Sequence, residues 1–351
     1  MTVEMQELCT TSIVRDAIEA TAEEAKLTPL IIESQFTGGL GLMNPTILKD
    51  GDDWICNVRN VSYTLHHCDP PNPSGSEQDG RFQTPWGPLN YVRPDNDPYL
   101  RTYNYLGYLN SGKGIERYNM IDERKFPKMP EWDFVGHEDG RLMKWDDKLW
   151  FAGVRRHAPD GKGRMQMSRI DLSDTGAIEE ERHIIEVEDS SSYCEKNWMP
   201  ILDMPYHFVK WLNPLEIVKV DLKNKIAKQV KLGDTLPFDN LDLRGGSQVV
   251  PYNGYRIAIT HEVDGWQTEK GDREGHYNHR LVIWDKDWNI ISVTKPWKFM
   301  HGKIEFCCGL AVDEDILHIT FGFQDNSAYL FRVPFDFMNR LPKEEVYERS
   351  N

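Results

Sequence analysis

Apolar residues along this chain come in short bursts separated by polar turn residues, the spacing of half-buried β-strands. One stretch departs from it. Residues 13–27 (IVRDAIEATAEEAKL) set Ile, Val, Ala and Leu among strong helix formers, which predicts a short N-terminal helix. Beyond it one unit recurs: polar opening residues, a short apolar strand, a turn of Asp, Asn or Gly, and a second strand rich in aromatic and β-branched residues. It reads NPTILKDGDDWICNVRNVSY from Asn44, EDGRLMKWDDKLWFAGVRR from Glu138, EKNWMPILDMPYHFVKW from Glu195, RGGSQVVPYNGYRIAITHE from Arg244 and IEFCCGLAVDEDILHITFGFQD from Ile304. Turns are predicted at Asp50-Gly51, Asp146-Asp147, Asp203-Met204, Asn253-Gly254 and Asp313-Glu314. The third unit is the least regular, with Pro205 just after its turn. Further strands are predicted over 164–172, 216–222, 280–285 and 328–333.

Hairpins repeating every 50 to 90 residues, roughly, suit small antiparallel sheets arranged around a channel. The predicted fold is therefore all-β, a five-bladed β-propeller with a short N-terminal helix. Residues 1–30 are read as a helical extension, 31–340 as the propeller and 341–351 as a tail. In that geometry the polar ends of the inner strands face one funnel: Asn44, Glu138, Asp139, Lys196, Arg244 and Glu305 open such strands, and Arg59, Arg155, His261 and Asp325 close the paired ones. A two-sheet sandwich could use the same hairpins without gathering their ends. The insert from about Cys68 to Pro130 reads as loop, with CDPPNPSGSEQDG of linker composition. Its aromatics (Trp86, Tyr91, Tyr99, Tyr103, Tyr105, Tyr108) either line a sugar site or pack under the loop.

The 351 residues are 39% hydrophobic and 28% charged, enough apolar material for a large core in one or two domains. A formal charge of −15 argues against nucleic acid or an anionic membrane as partner, since both are bound by clustered cations. Any basic residues that converge on one place become informative for the same reason. The six cysteines have no C-x-x-C pair and no regular spacing, so neither a zinc site nor a disulfide framework is expected. His66-His67 and His276-x-x-His279 lack partners at ligand spacing, and no metal is predicted. The amino-terminal stretch is acidic without an apolar core, and no run of about 18 apolar residues occurs. These features predict a cytoplasmic protein.

The order Asn-Pro near the start, Glu-Asp-x-Arg with a hairpin behind it, Lys-Asn before a strand, a small-residue strand ending in His, and a closing Gly-x-x-Asp resembles glycoside hydrolase family 130 over about residues 42–333. That family comprises five-bladed propellers acting as β-mannoside phosphorylases and hydrolases, and the family 108 mannosyltransferases are related. The resemblance implies that Asp139 is the general acid, that Asn44 and Arg59 hold the sugar next to the cleaved bond and that Asp325 binds sugar hydroxyls; Glu138, Arg141, Arg244 and Glu305 are read as binding sugar beside them. It implies phosphate binding by Arg155 or Arg156, with Lys196, His261 and Tyr277; Arg280 is read as a further cation of the phosphate group on charge alone. Two features depart from the family pattern: Gly140 stands where Pro is usual, and RGGSQVV with YNHR (277–280) differs from the common phosphorylase pattern.

The chemistry implied is inverting glycosyl transfer, to or from phosphate or a phosphorylated donor. A proton goes to the leaving oxygen while a nucleophile attacks the opposite face of the sugar. Phosphate is already anionic, so cations must offset the repulsion of a carboxylate-lined funnel, and arginine forks grip its oxygens in pairs. No cofactor is implied beyond phosphate or a sugar phosphate as co-substrate. An inverting hydrolase would instead need Glu195, Glu262 or Glu305 to activate water, and a propeller that only binds glycans would need neither. Arg155 and Arg156 alternate across a strand, so only one of them can face the funnel.

Overall fold

A computed structural model describes residues 12–21, 24–37, 41–65, 82–84, 87–89, 91–92, 99–110, 114–127, 134–157, 162–188, 192–233, 243–267 and 273–344. The linker at 68–80, His66-His67, Trp86 and the last seven residues lie outside them, as does the side chain of Tyr91. Among the described residues the chain is nearly all strand, with few helices, and no helix is long and apolar enough to cross a membrane.

The strands form antiparallel groups of four. The first runs Leu42–Asp50, Asp53–Val61, Leu100–Asn110 and Gly114–Asp122. The second runs Glu138–Trp145, Lys148–His157, Lys162–Ser173 and Gly176–Val187. The third pairs Met199–Pro200 with His207–Leu212, Leu215–Asp221 and Ile226–Leu232, its first strand being two residues long as Pro205 anticipates. The fourth is Val250–Tyr252, Tyr255–Gln267, Arg273–Trp284 and Ile290–Val293. The fifth joins Glu305–Asp313, Ile316–Phe323 and Ser327–Pro334 to Lys26–Pro29 from the start of the chain. Asp146 and Asp147 both have positive φ (51° and 55°), as do Asn253 and Gly254 (48° and 80°), the geometry of tight hairpin turns.

The apolar core lies between groups. Leu48, Leu106, Leu142 and Phe151 join the first to the second, and Trp145, Trp150, Trp198 and Phe208 join the second to the third. Val209, Ile217, Ala258 and Val282 continue to the fourth, and Ile259, Leu281, Leu317 and Phe331 to the fifth. Ile47, Val58, Tyr105, Ala311 and Leu330 then connect the fifth back to the first, so the order of interfaces returns to its start. The first strands converge on the fully buried Gln248. Its amide donates to the carbonyls of Ile47 (2.8 Å) and Leu142 (2.9 Å) and accepts from the Leu310 N–H (2.9 Å). One side chain thus ties three groups together just ahead of a fourth.

Two expectations change. The helix covers only Ile13–Thr21, burying Ile13, Val14 and Ala17. Residues 26–29, expected to extend the helix and its extension, instead become the outer strand of the last group. The free edge of Ser327–Pro334 offers a row of backbone partners that weak helix propensity does not outcompete. The stretch read as loop contains a long hairpin, Leu100–Asn110 with Gly114–Asp122. Its tyrosines pack or face solvent: Tyr105 is buried and donates its hydroxyl to the Phe36 carbonyl (2.7 Å), Tyr103 is exposed, and the Arg117 guanidinium covers Tyr108 at 4.4 Å. Tyr99 lies under Arg101 at 5.1 Å.

Candidate active site

Side chains along a strand alternate between faces, so two adjacent carboxylates should not meet one partner. A local irregularity lets them. The pairing of Glu138–Trp145 shifts register between Glu138 and Arg141, and Asp139 takes φ 49°. Asn44 does the same in the first group, with φ 44° and a shift between Met43 and Thr46. Bulges of this kind re-aim side chains, and left-handed residues other than glycine cluster at functional sites. Glycines make the room. A Cβ on Gly322 would stand 2.4 Å from Asn44 Oδ1, and one on Gly140 would stand 2.0 Å from the Phe151 ring. Phe151 is therefore a physical reason for glycine after Asp139.

The centre is built around Asp139. Its Oδ1 accepts from Asn44 Nδ2 at 2.7 Å and Arg59 Nη1 at 2.6 Å, while Arg141 Nη1 donates to its carbonyl at 2.5 Å. Arg59 is buried and is fixed from behind by Tyr63, whose hydroxyl accepts from Nη2 at 2.7 Å, and by Thr102 Oγ1 at 3.0 and 3.2 Å. Its Nη2 also lies 3.6 Å from Glu138 Oε1. Arg141, with no exposed surface, donates Nε to the Gly246 carbonyl at 2.9 Å and lies over the Phe306 ring. Tyr63, Thr102 and Phe306 are not among the site residues read from the sequence. The one signal for the first is that Arg59 and Tyr63, four apart on an extended chain, share a face.

The two carboxyls respond oppositely to this setting. Burial acts to raise Asp139, but Arg59, Arg141, the Asn44 bond and Lys196 together hold it below the ordinary aspartate value. Burial dominates at Glu138 and holds it above the ordinary glutamate value, with Arg59, Arg156 and Lys196 opposing and Asp139 reinforcing. Across from them His261 is buried and stacks on Tyr277 with centroids 5.7 Å apart and Phe306 edge-on at 4.8 Å. Burial holds its imidazole neutral, well below the ordinary histidine value, and the charges of His279, Arg244, Arg141 and Lys196 act the same way. Burial, with Asp325 and Asp139 nearby, pushes Tyr277 up to about 12. Asp325, at φ 50°, belongs to the same field.

The structure separates the two arginines of the second hairpin. Arg156 lies against Phe134 and Tyr193 (5.0 and 5.5 Å), and its charge reaches Glu138. Arg155 turns the other way and gives both carboxylate oxygens of Glu123 a hydrogen bond at 2.8–2.9 Å, in a network with Arg182 and Glu179. Arg155 is thus taken out of the expected phosphate group. So is Arg280, whose guanidinium binds Glu262 (3.0 and 3.2 Å) and Glu344 (2.5 Å). Glu305 is taken out of the sugar group, because its carboxylate accepts from the backbone N–H groups of Phe299, Met300 and Gly302 at 2.6–2.9 Å. Strand-end charges with a nearer partner satisfy it first. His276 meets Lys298 Nζ at 3.2 Å and His279 packs on Trp297.

Six buried polar atoms of this region have no hydrogen-bond partner: Asn44 Oδ1, Glu138 Oε1, Arg141 Nη2, Arg156 Nη1, Asn197 Oδ1 and His261 Nδ1. Buried polar atoms are usually satisfied, and others away from this centre, such as Trp145 Nε1, His183 Nδ1 and Trp284 Nε1, also lack a partner; the six here are those that a polar ligand beside Asp139 would complete. Donors and acceptors are mixed among them, as polyhydroxylated and anionic ligands require.

No protein-family profile matches the sequence, and no curated protein matches it. The fold does match solved structures. A β-1,2-mannobiose phosphorylase from Listeria innocua superposes with a TM-score of 0.52 at 11% identity, covering 90% of this chain and 92% of that one. A mannose phosphorylase from Leishmania mexicana, solved with phosphate ion, superposes at 0.50 and 10% identity over 95% of each chain. A third, named a putative glycoside hydrolase from Parabacteroides distasonis, gives 0.51 and 10% over 84% of this chain and 87% of that one. At these identities the likeness shows the fold, which agrees with the family 130 resemblance read from the motifs.

Proposed function

We propose that this chain is a five-bladed propeller enzyme that transfers a glycosyl unit, mannosyl in the first instance, to or from phosphate or a phosphorylated donor with inversion, acting on β-linked oligosaccharides. The observation that carries the reading is the joining of Asn44 and Arg59 to the Glu138-Asp139-Arg141 run through hydrogen bonds to one carboxyl group, with the charges of Lys196, Arg156 and Arg244 converging nearby. Asp139 serves as acid to the leaving oxygen. Asn44, Arg59, Glu138, Arg141, Arg244 and Asp325 hold the sugar, and Arg156, Lys196, His261 and Tyr277 face the phosphate. The named activities of the two phosphorylases sharing the fold support this assignment.

Asp139 is ionised in the ligand-free arrangement, and an acid must carry a proton. Lys196, one of the cations that hold it down, also stands where the anion is placed. A bound phosphate screens that charge, so its arrival raises the proton affinity of Asp139. Hydrolysis is less well supported, because Glu262 and Glu305 are occupied as described and Glu195 accepts the Trp198 indole N–H at 3.2 Å. The test is incubation with β-mannobiose plus inorganic phosphate and, in reverse, with mannose 1-phosphate or a nucleotide-mannose plus short acceptors, followed by NMR. Inverted sugar phosphate is the expected product, and Asp139→Asn should slow turnover by about 10²–10⁴. No turnover across that panel refutes the reading, and reducing sugar formed independently of phosphate favours the hydrolase.

A further inference from the structure

Arg59 is one guanidinium facing two carboxyl groups from consecutive residues. Ordinary strand geometry would send Glu138 and Asp139 to opposite faces, and the bulge with its left-handed Asp139 turns both to the same cation. The shares are unequal. Asp139 Oδ1 takes two short bonds, from Arg59 and Asn44, whereas Glu138 Oε1 is buried, 3.6 Å from Arg59 and without a hydrogen bond. A buried carboxyl oxygen without a donor is costly to ionise, so of this coupled pair Glu138 is the one that holds a proton more readily.

We propose that Glu138, rather than Asp139, carries the transferable proton of the resting site, acting as the store from which the acid Asp139 is charged. The proposal rests on the proposed glycosyl transfer only for the use made of that proton. Moving the proton from Glu138 to Asp139 leaves the total charge under the guanidinium unchanged, so the step does not create net charge in a buried place. Asp139 then gives the proton to the leaving oxygen as its bond to the anomeric carbon breaks and a phosphate oxygen bonds that carbon. The pair is left with two carboxylates and recovers one proton from solvent when products leave.

The surrounding charges agree with this order. From the first group Arg59 and the phenol of Tyr63 face Glu138, from the second Arg156, and from the segment ahead of the third Cys194 and Lys196. Asp139 faces Arg141 in addition, with Tyr277 and Cys308 opposite. The cation balance favours ionised Asp139, and burial favours neutral Glu138.

The test is a carboxyl ¹³C NMR titration of the ligand-free protein labelled at Glu and Asp, with Glu138→Gln and Asp139→Asn assigning the two resonances. Glu138 should titrate above the ordinary glutamate value of about 4.3 and Asp139 below the ordinary aspartate value of about 3.9. In Asp139→Asn the Glu138 midpoint should fall, because a neighbouring negative charge is gone. Should Glu138→Gln not fold, that coupled fall identifies the Glu138 resonance in its absence. Asp139 titrating at or above Glu138 overturns the proposal, as does a Glu138 midpoint that ignores Asp139→Asn. This measurement needs no substrate, so it can fail while glycosyl transfer stands, or hold while the activity panel is blank. In the active enzyme, Glu138→Gln should move the alkaline limb of kcat/KM to lower pH.

Discussion

Replacing Arg59 with alanine tests the centre of the site, and its cost can be worked from the contacts. The side chains of Arg59, Glu138 and Asp139 are 6%, 17% and 18% exposed, so solvent screens their interaction little. Arg59→Ala leaves the Asp139 carboxylate with the Asn44 amide as its only side-chain donor among the described residues and strips the cation from Glu138 and the hydrogen-bond donors from Tyr63 and Thr102. Breaking a buried ion pair by deleting one partner costs about 3–5 kcal/mol. The cost should depend on pH, with a definite sign. In the native protein Asp139 is depressed, so it contributes stability at neutral pH that is lost as pH falls through its folded value. Without Arg59, burial raises Asp139 and further raises Glu138, so their contribution is present at low pH and lost as pH rises. The difference between variant and native protein is therefore largest near about pH 7 and shrinks toward about pH 4. Urea unfolding at both pH values measures it, with Arg59→Lys as the charge-conserving control that lacks the planar fork. A penalty under about 1 kcal/mol, or one equal at both pH values, refutes the claim that Arg59 neutralises these carboxyls.

Arg156→Ala should raise the KM for phosphate about tenfold or more, the equivalent of about 1.4 kcal/mol, with little effect on stability. Arg155→Ala should instead lower stability by about 1–3 kcal/mol while leaving that KM alone, and steady-state kinetics beside urea unfolding separates the two. Gly140→Ala should cost about 1–3 kcal/mol through overlap with Phe151. On a Phe151→Ala background the same change should be nearly free, which a double-mutant cycle measures directly.

The hairpins and their order were legible in the sequence because they rest on local rules. Alternation marks strands, and Asp, Asn and Gly permit the positive φ of the turns at Asp146-Asp147 and Asn253-Gly254; the first and fifth turns fall one residue later than read, at Gly51-Asp52 and Glu314-Asp315, and the third is a longer loop between Pro200 and His207. Asn44, Arg59 and Asp139 were legible too, as polar residues at strand ends within motifs of recognisable order. Tertiary structure decided what depends on the nearest partner in space. Arg155 and Arg156 are alike as letters, and the strand's face assignment gives one to Glu123 and the other to the site. Glu305 opens a strand and Arg280 reads as the start of one although it lies within Arg273–Trp284, yet Glu344 and three backbone amides reach them first. Lys26–Pro29 reads as the end of a helix until the far end of the chain offers it an open edge. The opposite protonation tendencies of Glu138 and Asp139 belong to the same class. Charge balance depends on distances between groups far apart in the chain, which no local pattern encodes.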